Sequence, residues 1–157
     1  MKLVLKIILG SGVLLIAILS CTKDTFPSDT LIKLRYECGW CSFRDLLIIS
    51  SDSVVYTDYK GKCYNTDPPD TIIYDFISNK ELSSLMKKLD LKKYMACTYD
   101  HCGTCYDGCD FTLELYADDQ SNHVRYVSLA YDSTMLWMVP FVNQLNGIRK
   151  KYVPAPW

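Results

Sequence analysis

In "TLIKLRY", residues 30–36, Ile32, Leu34 and Tyr36 alternate with Lys33 and Arg35. A strand with one buried face requires this period of two. "RDLLIIS" (44–50) and "SVVYTDY" (53–59) are rich in β-branched and aromatic residues, and only Ser51 and Asp52 separate them. That spacing predicts a hairpin with a two-residue turn, although the pair is not the favoured Asn-Gly. A loop follows, "KGKCYNTDPPD" (60–70), whose Pro68-Pro69 is incompatible with ladder pairing. "TIIYDF" (71–76) is a candidate further short strand.

Ser78 and Glu81 then form the pattern of a capping box. Leu82, Leu85, Met86 and Leu89 fall at i, i+3, i+4 and i+7, which predicts a helix over 79–90. "FTLELYA" (111–117) and "HVRYVSLA" (123–130) predict a second hairpin across 118–122. A last helix is expected over 139–150, with Pro140 in its first turn and Phe141, Leu145 and Ile148 on one face. Gly147 weakens it by about 1 kcal/mol relative to alanine. The order is β-ββα-ββα. Its simplest packing is an α+β domain: one antiparallel sheet of about five strands with two helices on one face.

The N-terminus carries a different pattern. Lys2 and Lys6 accompany an almost unbroken apolar run, Ile7–Leu19. It is short of the about 20 residues that span a bilayer and matches the apolar region of a signal peptide. The run ends in "ILSC", Ile18–Cys21, which resembles the lipobox of bacterial lipoproteins. The resemblance implies cleavage before Cys21 and its acylation with palmitate-type chains, each buried methylene holding the chain by about 0.8 kcal/mol. "TKDTFPSDT" (22–30) reads as a tether, and its Lys23-Asp24 resembles the surface-export signal of Bacteroidota-type lipoproteins. An outer-membrane, lipid-anchored and surface-facing location is the implication. The organisation expected is a signal peptide over 1–20, a tether over 21–30, one disulfide-stabilised domain over 31–150 and a tail over 151–157.

Composition narrows the partners. The chain has 17 basic and 18 acidic side chains, and loss of Lys2 and Lys6 leaves the mature form at a formal −3. No basic stripe suggests nucleic acid. The expected contacts are therefore the membrane, through lipidated Cys21, and a protein or glycan partner. No cofactor is expected. "YECGWCSFRDLLIISSDSVVYT", "ISNKELSSLMKKL" and "HVRYVSLAYDS" together resemble a family of small exported bacterial proteins that carry a C-x-G-T-C-P-like turn before a hairpin and a helix. The resemblance implies a fold and an envelope location, and no activity.

Seven cysteines remain once Cys21 is lipidated: Cys38, Cys41, Cys63, Cys97, Cys102, Cys105 and Cys109. Beyond the inner membrane disulfides persist, so all seven are disulfide candidates, and the odd number leaves at least one over. Two alternatives use the same residues. Cys38-x2-Cys41 and Cys102-x2-Cys105 are knuckle-like pairs of the kind that hold a tetrathiolate zinc. "CGWC" is a thiol-redox motif, but a strand pattern follows it, not the helix that lowers a thiol's pKa. Cys97, Cys102 and Cys105 also show the C-x4-C-x2-C ferredoxin spacing, but Cys109 is only four residues on. Asp100, Asp107 and Asp110 do not fit a calcium loop and read as turn residues, as do Gly103 and Gly108. Asp29-Thr30-Leu31, Asp52-Ser53-Val54 and Asp70-Thr71-Ile72 resemble the Bacteroidota O-glycosylation sequon.

No residue is expected to be catalytic. The reading is a non-enzymatic envelope lipoprotein that presents stapled loops 37–43, 61–70 and 97–110, with Trp40, His101 and Tyr106 as binding residues. A zinc-binding or thiol-redox protein using Cys38/Cys41 and Cys102/Cys105 is one alternative. A periplasmic hydrolase inhibitor that inserts one of these loops is another.

Overall fold

The alternating apolar residues come together on one face of a single sheet. The structure, a computed structural model, describes residues 29–41, 43–60 and 68–153, apart from the side chains of Cys41 and Tyr131. The lipobox, Cys21, most of the tether, Cys63 and the end of the tail lie outside the described residues. The strands are β1 (Leu31–Cys38), β2 (Arg44–Ile49), β3 (Ser53–Asp58), β4 (Thr71–Phe76), β5 (Cys109–Ala117) and β6 (Gln120–Tyr126). The helices are α1 (Asn79–Met86), α2 (Leu91–Met95) and α3 (Val139–Lys150). All strand pairs are antiparallel, in the order β4-β3-β2-β1-β5-β6.

Register explains the core. Leu34 lies opposite Leu47 and Leu113, and Ile32 opposite Ile49 and Leu115. Tyr56, Val54 and Val124 continue the same face. Leu82, Leu85, Met86, Tyr94, Phe141, Leu145 and Ile148 pack onto that face in one buried cluster. The result is a two-layer α+β sandwich. Ser78 accepts from the Glu81 backbone N–H while the Glu81 carboxylate accepts from that of Ser78, so the expected capping box starts α1. Tyr94 of α2 is fully buried, and its hydroxyl donates to Leu113 O at 2.7 Å, fastening α2 over the β5–β6 hairpin.

The sheet has six strands where about five were expected, and α2 adds a third helix. "TIIYDF" forms β4 because every residue from Thr71 to Phe76 has a partner on β3. Asp90 ends the expected 79–90 helix early by capping α2, its carboxylate accepting from Lys93 N at 2.9 Å. The second hairpin turns at Asp118-Asp119 alone, and "VSLA" leaves the sheet, with Leu129 in a 3-10 turn. β4 forms one edge of the sheet, where Tyr74 and Phe76 are exposed on the side away from the helices. Among the described residues no helix is long and apolar enough to cross a membrane.

Candidate functional site

β1 and β5 end together, and the cysteine-bearing turns grow from that end. Cys38, the last residue of β1, lies directly opposite Cys109, the first of β5, and the two form a disulfide across the strands. A 3-10 turn, Gly39–Cys41, leaves β1, and a second, Thr104–Tyr106, precedes β5. The two turns touch. The Gly39 N–H donates to Gly108 O at 2.7 Å. A Cβ on Gly39 would stand 3.0 Å from Asp107 Cα, so any larger residue would push the two turns apart by a few tenths of an ångström. Gly103 is tighter still: a Cβ there would lie 2.6 Å from both Cys109 O and Val127 Cγ2.

Two exposed aromatics crown the joined turns. Trp40 is 85% exposed and Tyr106 86%. Trp40 also adopts φ 57, a left-handed backbone that is unusual for a bulky side chain and costs about 1–2 kcal/mol. Asp107, next to Tyr106, has φ 60. Strain of this kind is held in place by its surroundings and concentrates at sites of function.

A buried carboxylate holds the second turn. Asp110 Oδ2 accepts from Gly103 N at 3.1 Å, Thr104 N at 3.2 Å and Thr104 Oγ1 at 3.1 Å. Asp110 is therefore the anchor of the "CGTC" turn, which its reading as a turn residue only partly anticipates. Within that turn Cys102 and Cys105 are joined by a disulfide. The two staples differ in what they close. In the chain-entropy account a separation of 71 residues gives about 4 kcal/mol of stabilisation, and a separation of 3 about 2 kcal/mol.

The remaining candidates distribute as follows. Cys97, one of the seven candidates of which at least one had to be left over, keeps a free thiol. It packs partly buried against the core, and Asn122 Nδ2 donates to its carbonyl at 2.8 Å, which holds this stretch to β6. His101 is exposed, and its backbone N–H donates to Arg125 O. The neighbouring Asp100 pairs with Arg125 through contacts of 2.6 and 3.0 Å, and this bonding holds its carboxyl below the usual range. Cys41 is described only in its backbone and Cys63 not at all. Of the sulfurs that the zinc alternative requires, those of Cys38, Cys102 and Cys105 are in disulfides, so no tetrathiolate forms in this oxidised state. The redox alternative at "CGWC" loses Cys38 to Cys109. Among the O-glycosylation sequons, Thr30 is buried.

Sequence reasoning missed a second polar centre on the helix side of the sheet. Asp45, fully buried on β2, accepts from Arg149 Nε at 2.8 Å, from Arg149 Nη2 and from the Tyr56 hydroxyl at 3.2 Å. The guanidinium lies 4.7 Å from the Tyr36 ring and 5.7 Å from that of Phe111. Burial pushes the Asp45 carboxyl upward against the pull of Arg149, and it raises the Tyr56 hydroxyl as well. Neither a protein-family model nor a curated protein matches the chain.

Proposed function

We propose that this chain is a lipid-anchored lipoprotein of the bacterial outer membrane, held through Cys21, whose domain is a non-enzymatic binding module. Its binding surface is the end of the sheet where Trp40 and Tyr106 project from the two joined turns, with a protein or glycan as the partner. One observation carries the reading. Trp40 is held in a left-handed conformation with 85% of its surface in solvent, so the fold bears strain there and gains no burial from it. Exposed aromatic anchors on rigid supports supply most of the energy in interfaces. Cys38–Cys109 and the Gly39–Gly108 hydrogen bond provide that rigidity. His101 is the polar member of the candidate set.

The test compares wild-type protein with Trp40→Ala and Tyr106→Ala as baits for envelope proteins and for cell-surface glycans. The thermal midpoint should stay unchanged, because neither side chain is buried, while capture of the wild-type partner falls at least tenfold. Equal capture by all three proteins overturns the assignment of this surface.

A further inference from the structure

We propose that Cys102–Cys105 is a reversible thiol–disulfide exchange site, opened by a dithiol that attacks Cys105 Sγ and expels Cys102 Sγ as a thiolate. The proposal is independent of what Trp40 and Tyr106 bind. Three observations favour it over Cys38–Cys109.

The first is access. Cys105 is exposed and Cys102 half-buried, whereas Cys38 is buried and Cys109 half-buried, so Cys105 is the most accessible of the four. A thiolate therefore reaches Cys105 first, and an exposed disulfide is the kind that exchanges.

The second is the environment of the leaving sulfur. Cys102 Sγ accepts the Cys105 backbone N–H at 3.1 Å, and Thr104 Oγ1 lies 3.5 Å away. The same hydroxyl is 3.1 Å from Asp110 Oδ2, so it can turn its proton from the carboxylate to the sulfur as negative charge develops there. Donors aimed at the departing thiolate make it the better leaving group.

The third is redundancy. The Asp110 carboxylate holds Gly103 and Thr104, and Tyr106 N and Gly108 N both donate to Gly103 O at 3.0 Å. The turn keeps its shape without the covalent bond, so opening is local and reclosure fast.

The steps balance. A thiolate of the dithiol bonds to Cys105 Sγ while the Cys102–Cys105 bond breaks and its electron pair stays on Cys102. The second thiol, having lost its proton to solvent, attacks its own mixed disulfide and releases Cys105. Cys102 and Cys105 each take up one proton, the dithiol is oxidised to a disulfide, and the reverse sequence reoxidises the pair.

The experiment follows the full chain, in detergent micelles, over time after addition of reduced dithiothreitol at graded concentrations, and again after oxidised dithiothreitol is added. Acid quenching, differential alkylation and peptide mass mapping then read each cysteine, with the free thiol of Cys97 as internal reference. The expected result is that Cys102 and Cys105 open at least tenfold faster than Cys38 and Cys109 and reclose when oxidant is added, with the far-ultraviolet circular dichroism unchanged. Thr104→Val should open several-fold more slowly with an unchanged spectrum, a readout that a purely structural disulfide would not move. Opening that occurs only together with Cys38 and Cys109, or with loss of the spectrum, overturns the exchange site. An unchanged rate in Thr104→Val overturns the assignment of Cys102 as the leaving sulfur.

Discussion

Asp45 shows how much of a residue's role depends on phase. In "RDLLIIS" it stands next to Arg44 at a strand start, where a charged residue ordinarily faces water. Yet Asp45, Leu47 and Ile49 share the period of two, and that phase turns the carboxylate inward. The signal was present, but nothing in it pointed to Arg149, 104 residues away. Because the pair is buried, removing one partner strands the other. Asp45→Asn should leave the Arg149 guanidinium without a counter-charge and lower stability by about 3 kcal/mol. In urea this appears as a lower midpoint with an unchanged slope. A loss below about 1 kcal/mol would mean that the rings of Tyr36 and Phe111 suffice to hold the cation.

Long periodic elements were legible and short ones were not. α3 runs over Val139–Lys150 as its apolar spacing and Pro140 suggest, and α1 begins at its capping box. α2 has five residues, too few for a helical period to emerge. The turn between β5 and β6 was placed too broadly because "DDQSN" is polar throughout, whereas Gln120, Ser121 and Asn122 are the polar start of β6. Only Asp118 and Asp119 turn, with φ of 51 and 59. Two successive left-handed residues are the requirement of a type I′ turn, for which Asn-Gly is the preferred pair. Replacing Asp118-Asp119 by Asn-Gly should therefore raise stability by about 1 kcal/mol, or about 4 °C in thermal midpoint. The side chains face solvent, so the change acts through the backbone alone. A fall in the midpoint would show that the aspartates stabilise the hairpin in some other way.

At the scale of the molecule, the cysteine count was readable and the pairing was not. About a hundred pairings are open to seven cysteines with one left over. Selecting Cys38–Cys109 requires knowing that β5 returns to lie beside β1, a contact that skips three strands and two helices. The aromatic surface was equally hidden, because the turns that carry Trp40 and Tyr106 meet only through that closure. Topology thus gives the two disulfides different tasks, and stability measurements should separate them. Cys38→Ala/Cys109→Ala frees the ends of two interior strands, β1 and β5, and should cost about 4 kcal/mol, against about 2 kcal/mol or less for Cys102→Ala/Cys105→Ala. Asp110 and Gly103 hold the small turn without its disulfide through several hydrogen bonds, whereas at the first pair the strand ladder and the single Gly39–Gly108 hydrogen bond remain. Guanidinium unfolding of both double variants decides the order. Equal losses would mean that the "CGTC" turn depends on its covalent bond, and that the hydrogen bonds to Asp110 follow from the disulfide and do not replace it.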